Sequence, residues 1–239
     1  MVGIDTDVII VTLDRKTETT KTLEALFENN KDINVLIIDN GSEDLSYLDK
    51  FDVTVIKNKE NIGVTKAYNK GLEIAQSKYI VLMHNDIVVK TKDWIAKAID
   101  FMDANPKAGI VGQAGWKHIT DEAKHGTLRT SLDHYKQKPN GFEEVGCVDG
   151  CCNIIRYIGL HLDEFLGYYY YDYDLSMEYR DLGYKLYVMD GSAEHLSDYK
   201  GKFKATVNLA KCRIADSYRE QSKNYFLNKW EGYLPIWTK

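Results

Sequence analysis

Polar side chains follow three apolar runs of the chain, at the point where each predicted strand ends. These positions are Thr12, Asp14 and Arg15 after the first run, Asp39 after the second, and His84, Asn85 and Asp86 after Tyr79–Met83. Ligands of open α/β sheets gather at the carboxyl ends of strands. A carboxylate such as Asp86 is suited there to hold a divalent cation that carries a diphosphate. Each position alone also fits an ordinary turn or helix cap, but together they predict one site.

A second candidate anion site lies where a helix is predicted to begin, in the segment Asn61–Gly71. Gly63 leaves room for a ligand, and the N–H groups of a helix start favour anions. Lys66 is either a phosphate contact or a solvated surface lysine. Neither a G-x-G-x-x-G fingerprint nor a P-loop motif occurs, so those two modes of nucleotide binding lose their main support.

Two candidates for chemistry stand in the second half of the chain. Asp172 begins a predicted helix, so it is either a residue favoured by the helix dipole or a general base. His195 is either a structural histidine or a neutral imidazole that completes a metal site begun by Asp86. Asp163 and Glu164 are further carboxylate candidates, or solvated turn residues.

The elements that must position these residues alternate between strand and helix. Strands are predicted at Val8–Val11, Val35–Ile38, Val53–Ile56, Tyr79–Met83 and Ile110–Val111, and helices at Lys16–Asn30, Val64–Gln76 and Trp94–Ala104. This alternation predicts an α/β fold, with a mostly parallel central sheet and helices on both faces. Residues 113–143 are predicted as a long irregular loop. Beyond it we expect strands at Val145–Val148, Asn153–Ile155 and Lys185–Met189, and helices at Asp172–Leu182 and Ala205–Trp230.

Composition narrows the function classes. The 239 residues are 44 % apolar and carry a net charge of −5, which suits one large domain and gives no basic field for nucleic acid. No apolar stretch approaches the roughly 18 residues of a membrane span, and the first residues lack a signal-peptide pattern. A cytoplasmic location is therefore expected. The four cysteines lack paired C-x-x-C spacing, so buried free thiols are expected.

Taken in order, these segments resemble the motifs of family 2 glycosyltransferases, which are inverting enzymes with the GT-A fold. The matching segments are Val8–Thr12, Asp39–Ser42, Asn61–Gly71, Tyr79–Asp86, Asp149–Arg156, Leu162–Phe165 with Tyr171–Leu175, and Gly183–Lys185 with His195. The order and spacing of the motifs make the match specific. Two positions depart from the pattern: His84 replaces the first aspartate of D-x-D, and Tyr171 replaces the glutamate before the usual catalytic aspartate.

The resemblance implies a division of the chain and a role for each site residue. Residues 1–200 would form the GT-A domain, with a nucleotide-binding half at 1–112 and an acceptor-side half at 113–200, and residues 201–239 would form a helical tail packed on it. Asp172 would be the general base, and Asp86 with His195 would bind Mn²⁺ or Mg²⁺. The residues assigned to the nucleotide sugar are Thr12, Asp14, Arg15, Asp39, Asn61, Gly63, Lys66, His84 and Asn85.

The expected activity is metal-dependent, inverting transfer of a sugar from a UDP- or dTDP-type donor to an acceptor hydroxyl. A glycan, a lipid-linked or a protein acceptor in surface-glycan or polysaccharide assembly is the default for the family, and peripheral membrane association is compatible with it. Two alternatives stay open. One is a non-catalytic module that binds nucleotide sugars or acts as a scaffold. The other is a sugar nucleotidyltransferase, although Leu13–Lys16 lacks the glycine expected of its loop.

Overall fold

An eight-stranded sheet lies at the centre of the computed structural model, which describes residues 6–196 and 216–238. The strands are β1 (Thr6–Thr12), β2 (Ile33–Asp39), β3 (Val53–Lys57), β4 (Tyr79–His84), β5 (Ile87–Val89), β6 (Ala108–Gly112), β7 (Ala114–Trp116), β8 (His118–Ile119), β9 (Leu128–Thr130), β10 (Phe142–Val145), β11 (Cys147–Val148), β12 (Cys152–Arg156), β13 (Lys185–Met189), β14 (Ala193–His195) and β15 (Ile236–Trp237). The helices are α1 (Lys16–Asn29), α2 (Val64–Leu72), α3 (Trp94–Ala104), α4 (Tyr171–Asp181) and α5 (Asp216–Lys229), with a 3₁₀ turn at Ser46–Lys50.

The sheet is mixed, and its strand order is β10-β13-β6-β12-β4-β1-β2-β3. Strand β1 pairs in parallel with β2 and β4, β2 pairs in parallel with β3, and β13 pairs in parallel with β6. Strand β12 runs antiparallel between β4 and β6, and β10 is antiparallel at the edge. The predicted α/β class with a large, mostly parallel sheet is confirmed.

Alternate residues of β1 enter two separate cores, because successive side chains of a strand point to opposite faces. Val8 and Ile10 pack in one core with Leu23 of α1 and with α3. Ile9 packs in the other core with Tyr68 of α2 and with α4. Each fully buried aliphatic side chain contributes about 1.5–3 kcal/mol relative to an exposed one. Helices therefore cover both faces, as predicted.

Three predicted elements differ from the observed ones. Helix α2 ends at Leu72 rather than Gln76, because the amides of Gln76 and Ser77 donate to the carboxylate of Asp7 instead of continuing the helix. Residues 113–143 are not one loop, since β7 and β9 join β11 in a three-stranded sheet. The predicted strand Val145–Val148 is interrupted at Gly146, where β10 gives way to β11.

The C-terminal segment contacts the rest of the described structure through α5 and β15. Phe226 and Trp230 are buried, and β15 pairs antiparallel with β8. Lys229 Nζ and Trp230 Nε1 donate to the carboxylate of Asp174 on α4, at 3.0 and 2.8 Å. Residues 205–215 of the predicted tail helix lie outside the described residues. Within 6–196 and 216–238, no helix combines the length and the apolar character needed to cross a membrane.

Candidate active site

A cavity of about 430 Å³ lies at the carboxyl ends of β1 and β4. Its lining residues come from β1 and the loop after it, from the loop after β2, from the end of β4 and the loop after it, from α2, from the start of α4 and the segment before it, and from β14. They are Val11, Thr12, Leu13, Arg15, Asn40, Val64, Tyr68, His84, Asn85, Asp86, Tyr168, Tyr171 and His195. The sequence predicts one site at the carboxyl ends of the strands, and a cavity of ligand size lies there.

Three potential metal ligands meet in this cavity. The ligating atoms of His84, Asp86 and His195 all lie within 4.8 Å of one another. Chain topology explains the meeting: β4 ends at His84, the chain turns through Asp86 into β5, and β14 pairs antiparallel with β5 so that His195 stands opposite Ile87. The amide of Leu196 donates to the backbone oxygen of Asp86 at 2.8 Å, which fixes the two segments together.

The carboxylate of Asp86 is buried, and each of its two oxygens lies close to a nitrogen of another side chain. Its Oδ1 lies 3.3 Å from His195 Nε2, and its Oδ2 lies 3.3 Å from a guanidinium nitrogen of Arg15. Burial lowers the pKa of His84, so its imidazole is neutral at physiological pH. A neutral imidazole and an ionised carboxylate are the states that bind a metal, and this set of side chains could hold a divalent cation.

Hydrogen bonds between side chains join the ends of β1 and β4. The Nδ2 atom of Asn85 donates to Thr12 Oγ1 and to Thr19 Oγ1, at 3.0 Å each. Thr12 is buried. Both residues were predicted to contact the nucleotide; they line the cavity, where their polar atoms bond to each other.

The loops after β1 and β2 are also tied to each other. The carboxylate of Asp39 is buried and accepts from the amides of Gly41 and Ser42, which closes its own turn. Asp14 Oδ1 accepts from the amide of Glu43 at 2.8 Å. Asp14 and Asp39 therefore shape the loops around the cavity but are not among its lining residues.

Asn61 and Gly63, which are predicted to contact the nucleotide, lie in the segment before α2 and are not among the lining residues of the cavity. Gly63 has φ near +90°, a conformation that L side chains rarely adopt. Asn61 Oδ1 accepts from the amide of Gly63 and from the hydroxyl of Tyr168, which lines the cavity. Lys66, the predicted phosphate contact, is exposed and lines a separate groove with Glu60 and other polar residues. The structure therefore does not bring Lys66 into the cavity.

Asp172 lies in the first turn of α4, directly after Tyr171, which lines the cavity; Asp172 itself is not among the lining residues. Its half-buried carboxylate accepts from the amide of Gly150 at 3.0 Å. Desolvation, followed by the charge of Asp149, raises the pKa of Asp172 to about 7. A carboxylate that is half ionised near neutral pH is well suited to accept a proton.

Sequence reasoning missed several residues of the site. Tyr68 and Tyr171 line the cavity, and Asp149 acts on Asp172. The hydroxyl of Tyr68 is buried and has no hydrogen-bond partner in the described part of the chain. The helical spacing of Tyr68 with Val64 and Leu72 indicates only one face of a helix, and no pattern in the sequence links Asp149 to Asp172.

Comparison with known proteins identifies a family to which most of the chain is similar. The model of the family described as "Glycosyl transferase family 2" matches residues 7–160. No curated protein matches the chain.

Solved structures share its fold. The mannosyltransferase PcManGT from Pyrobaculum calidifontis, in complex with GDP-Man and Mn²⁺, is 15 % identical, with a TM-score of 0.59 over 82 % of this chain and 58 % of that one. The structure of S. aureus TarS 1–349 is 16 % identical, with a TM-score of 0.58 over 95 % of this chain and 71 % of that one. This chain covers 44 % of a longer TarS structure. The fold is therefore GT-A, and the chain belongs to glycosyl transferase family 2.

Proposed function

We propose that the protein transfers a sugar from a nucleoside diphosphate sugar to an acceptor hydroxyl, with a divalent cation held by His84, Asp86 and His195. The observation that carries this proposal is the meeting of these three side chains in a cavity at the carboxyl ends of β1 and β4. When bound, the cation supplies positive charge that offsets the charge growing on the leaving nucleoside diphosphate. Arg15, which lies beside Asp86, adds a second positive charge on the same side.

The donor set favours Mn²⁺ over Mg²⁺. Mg²⁺ prefers oxygen ligands in near-ideal octahedral geometry, whereas this cluster offers two imidazoles and one carboxylate. The mannosyltransferase with the same fold holds GDP-Man and Mn²⁺, which supports a nucleotide sugar as the donor class. We expect a UDP- or dTDP-sugar, and a guanosine donor belongs in the same screen. A glycan, lipid-linked or protein acceptor in surface-glycan assembly follows from the family resemblance.

Asp172 is the proposed general base. Its carboxylate would take the proton of the acceptor hydroxyl as that oxygen attacks the anomeric carbon and the bond to the diphosphate breaks. A single displacement inverts the anomeric configuration. The raised pKa of Asp172 supports this role, because a base is most effective when its pKa lies near the working pH.

The variant Asp172→Asn tests the assignment. A thermal-shift screen of UDP-, dTDP- and GDP-sugars with Mn²⁺ first identifies the donor. Transfer or donor hydrolysis by Asp172→Asn is then expected to fall by about 10²- to 10⁴-fold, while the affinity for the nucleotide is retained. Asp100→Asn, which removes an exposed carboxylate on α3, is the matched control and should keep wild-type turnover. Wild-type turnover in Asp172→Asn would contradict the assignment, and donor hydrolysis that is absent with and without Mn²⁺ would favour a non-catalytic module.

A further inference from the structure

The hydroxyl of Tyr171 lies between a ring nitrogen of His84 and a backbone carbonyl. Its Oη atom is 2.9 Å from His84 Nε2 and 3.4 Å from the carbonyl oxygen of Gly150. Tyr171 is buried, and its ring lies against that of Tyr68 with the ring centroids 6.3 Å apart. The hydroxyl is therefore held among fixed groups rather than in solvent.

Gly150 makes this position possible. A Cβ atom at residue 150 would collide with the Oη atom of Tyr171. The amide of Gly150 donates to Asp172 at 3.0 Å, which anchors the loop to the first turn of α4. The approach of Tyr171 to His84 thus depends on the absence of a side chain at 150.

The partners of the Tyr171 hydroxyl determine which atom donates and which accepts in each of its two hydrogen bonds. A backbone carbonyl can only accept, a tyrosine hydroxyl has one proton to give, and a neutral imidazole has one N–H and one lone pair. If the hydroxyl of Tyr171 donates to Gly150, it can only accept from His84. The proton of His84 then resides on Nε2, and Nδ1 keeps its lone pair.

We propose that Tyr171 is a positioning residue that fixes the tautomer of His84, with Nε2–H donating to Tyr171 Oη and Nδ1 left as the ligand for the divalent cation. This inference rests on the metal site of the proposed function. Metal-bound histidines commonly donate their other N–H to an oxygen partner, which orients the ring and fixes the tautomer. The two departures from the family pattern, at residues 84 and 171, contact each other and thus form one unit.

Nitrogen NMR of the metal-free wild-type protein tests the tautomer without any variant. Two-bond ¹H–¹⁵N correlations of His84 are expected to show Nε2–H, and a predominant Nδ1–H form would overturn the inference. In Tyr171→Phe the preference for Nε2–H should weaken, because the oxygen acceptor is gone.

Mn²⁺ titration followed by EPR tests the consequence for the metal. Tyr171→Phe is expected to weaken Mn²⁺ binding by about 10- to 100-fold, as is typical of an outer-shell partner. In a His84→Ala background the same change should have less than about a twofold effect, because the coupling passes through His84. Tyr179→Phe is the matched control: it lies on the same helix and loses one bond from a tyrosine hydroxyl to a backbone carbonyl. It should bind Mn²⁺ as the wild type does.

The outcomes separate this inference from the proposed function. Weaker Mn²⁺ binding in Tyr171→Phe alone, with no further loss in His84→Ala, supports the positioning role. Wild-type affinity in Tyr171→Phe overturns that role and leaves the proposed metal site in place. If the wild-type protein itself binds no Mn²⁺ in the presence of nucleotide, both proposals fall.

Discussion

Removing the charge of Asp149 should move the pH dependence of the enzyme towards lower pH. Asp149 and Asp172 are both half-buried, and the negative charge of Asp149 is the second cause, after desolvation, of the raised pKa of Asp172. Asp149→Asn keeps an oxygen that can accept from the amide of Cys151, as Asp149 Oδ1 does at 2.9 Å. The substitution therefore removes the charge and preserves the turn.

The size of the effect follows from the pKa of Asp172, which is about 7. About a tenth of the wild-type carboxylate is ionised at pH 6 and about nine-tenths at pH 8. An opposite charge lowers the pKa of a carboxyl by about 1–3; for the removal of a like charge we take the lower end of that range, because desolvation is the larger cause here. With the midpoint near pH 6, about half of Asp172 in Asp149→Asn is ionised at that pH. Activity at pH 6, relative to the high-pH plateau, should rise roughly fivefold.

The cysteine and tyrosine neighbours of Asp172 do not titrate in this range, whereas burial lowers the pKa values of His84 and His125 from an ordinary value that lies within it. Cys147 and Tyr171 both feel the charge of Asp172, but burial raises the pKa of each well above its ordinary value, so both stay protonated. The pKa of Tyr173 is raised in the same way. Since a histidine can also contribute to the acid limb, the ¹³C titration of the Asp172 carboxyl identifies the group that shifts.

The assay is the pH dependence of kcat/KM for donor hydrolysis, which reports the pKa of the essential base in the free enzyme. Asp103→Asn, which removes an exposed carboxylate bonded to Lys78, is the control and should leave the midpoint in place. An unchanged midpoint in Asp149→Asn, or a midpoint moved to higher pH, would refute the electrostatic coupling. The ¹³C shift of the Asp172 carboxyl, followed against pH, gives the same answer without turnover.

Three further substitutions test the site and its scaffold. Asp86→Asn should weaken Mn²⁺ binding, measured by EPR, because it removes the only carboxylate of the described metal cluster. The loss should be at least the 10- to 100-fold that is typical of losing an outer-shell partner. Unchanged affinity would place the metal elsewhere. Lys229→Met should destabilise the fold by about 2 kcal/mol, because it leaves the buried carboxylate of Asp174 without its cation, and calorimetry should show Tm lower by roughly 4–8 °C. Gly71→Ala should cost about 1–3 kcal/mol in urea unfolding, because its Cβ would lie 2.5 Å from Ile9 Cγ2 in the core; a neutral result would mean that α2 can shift.

Much of the fold was predictable because the strands of the parallel region are buried on both faces and read as continuous apolar runs. Ile9 and Leu82 lie in one core while Ile10 and Met83 lie in the other, and β1 and β4 were predicted nearly to their bounds. Helix α3 was predicted from Trp94 to Ala104, as observed, because its apolar residues recur at helical spacing. The division of the chain near residue 112 stays a prediction.

The elements that escaped prediction are held by partners distant in the chain. Strands β7, β9 and β11 have two or three residues each, too few to show a period. The contact of His84 with Tyr171 joins residues 87 positions apart, and the bond from Gly150 to Asp172 spans 22. The sequence could predict that the ends of the parallel strands meet, because the sheet topology requires it. It could not predict which loop from the second half of the chain packs against those strand ends.

Gly150→Ala should disturb the proposed metal ligand His84 and the proposed base together, because residue 150 contacts Tyr171 and Asp172. The added Cβ would collide with the hydroxyl of Tyr171 and push it from His84, so Mn²⁺ binding should weaken as in Tyr171→Phe. The amide of Gly150 donates to Asp172 and lowers its pKa. If the collision lengthens that bond, the midpoint of the pH profile should move to higher pH, opposite to the shift in Asp149→Asn. The main effect of Tyr171→Phe should be on the metal affinity, and the main effect of Asp149→Asn should be on the midpoint. A Gly150→Ala protein with wild-type metal affinity and midpoint would show that this loop yields without moving either group.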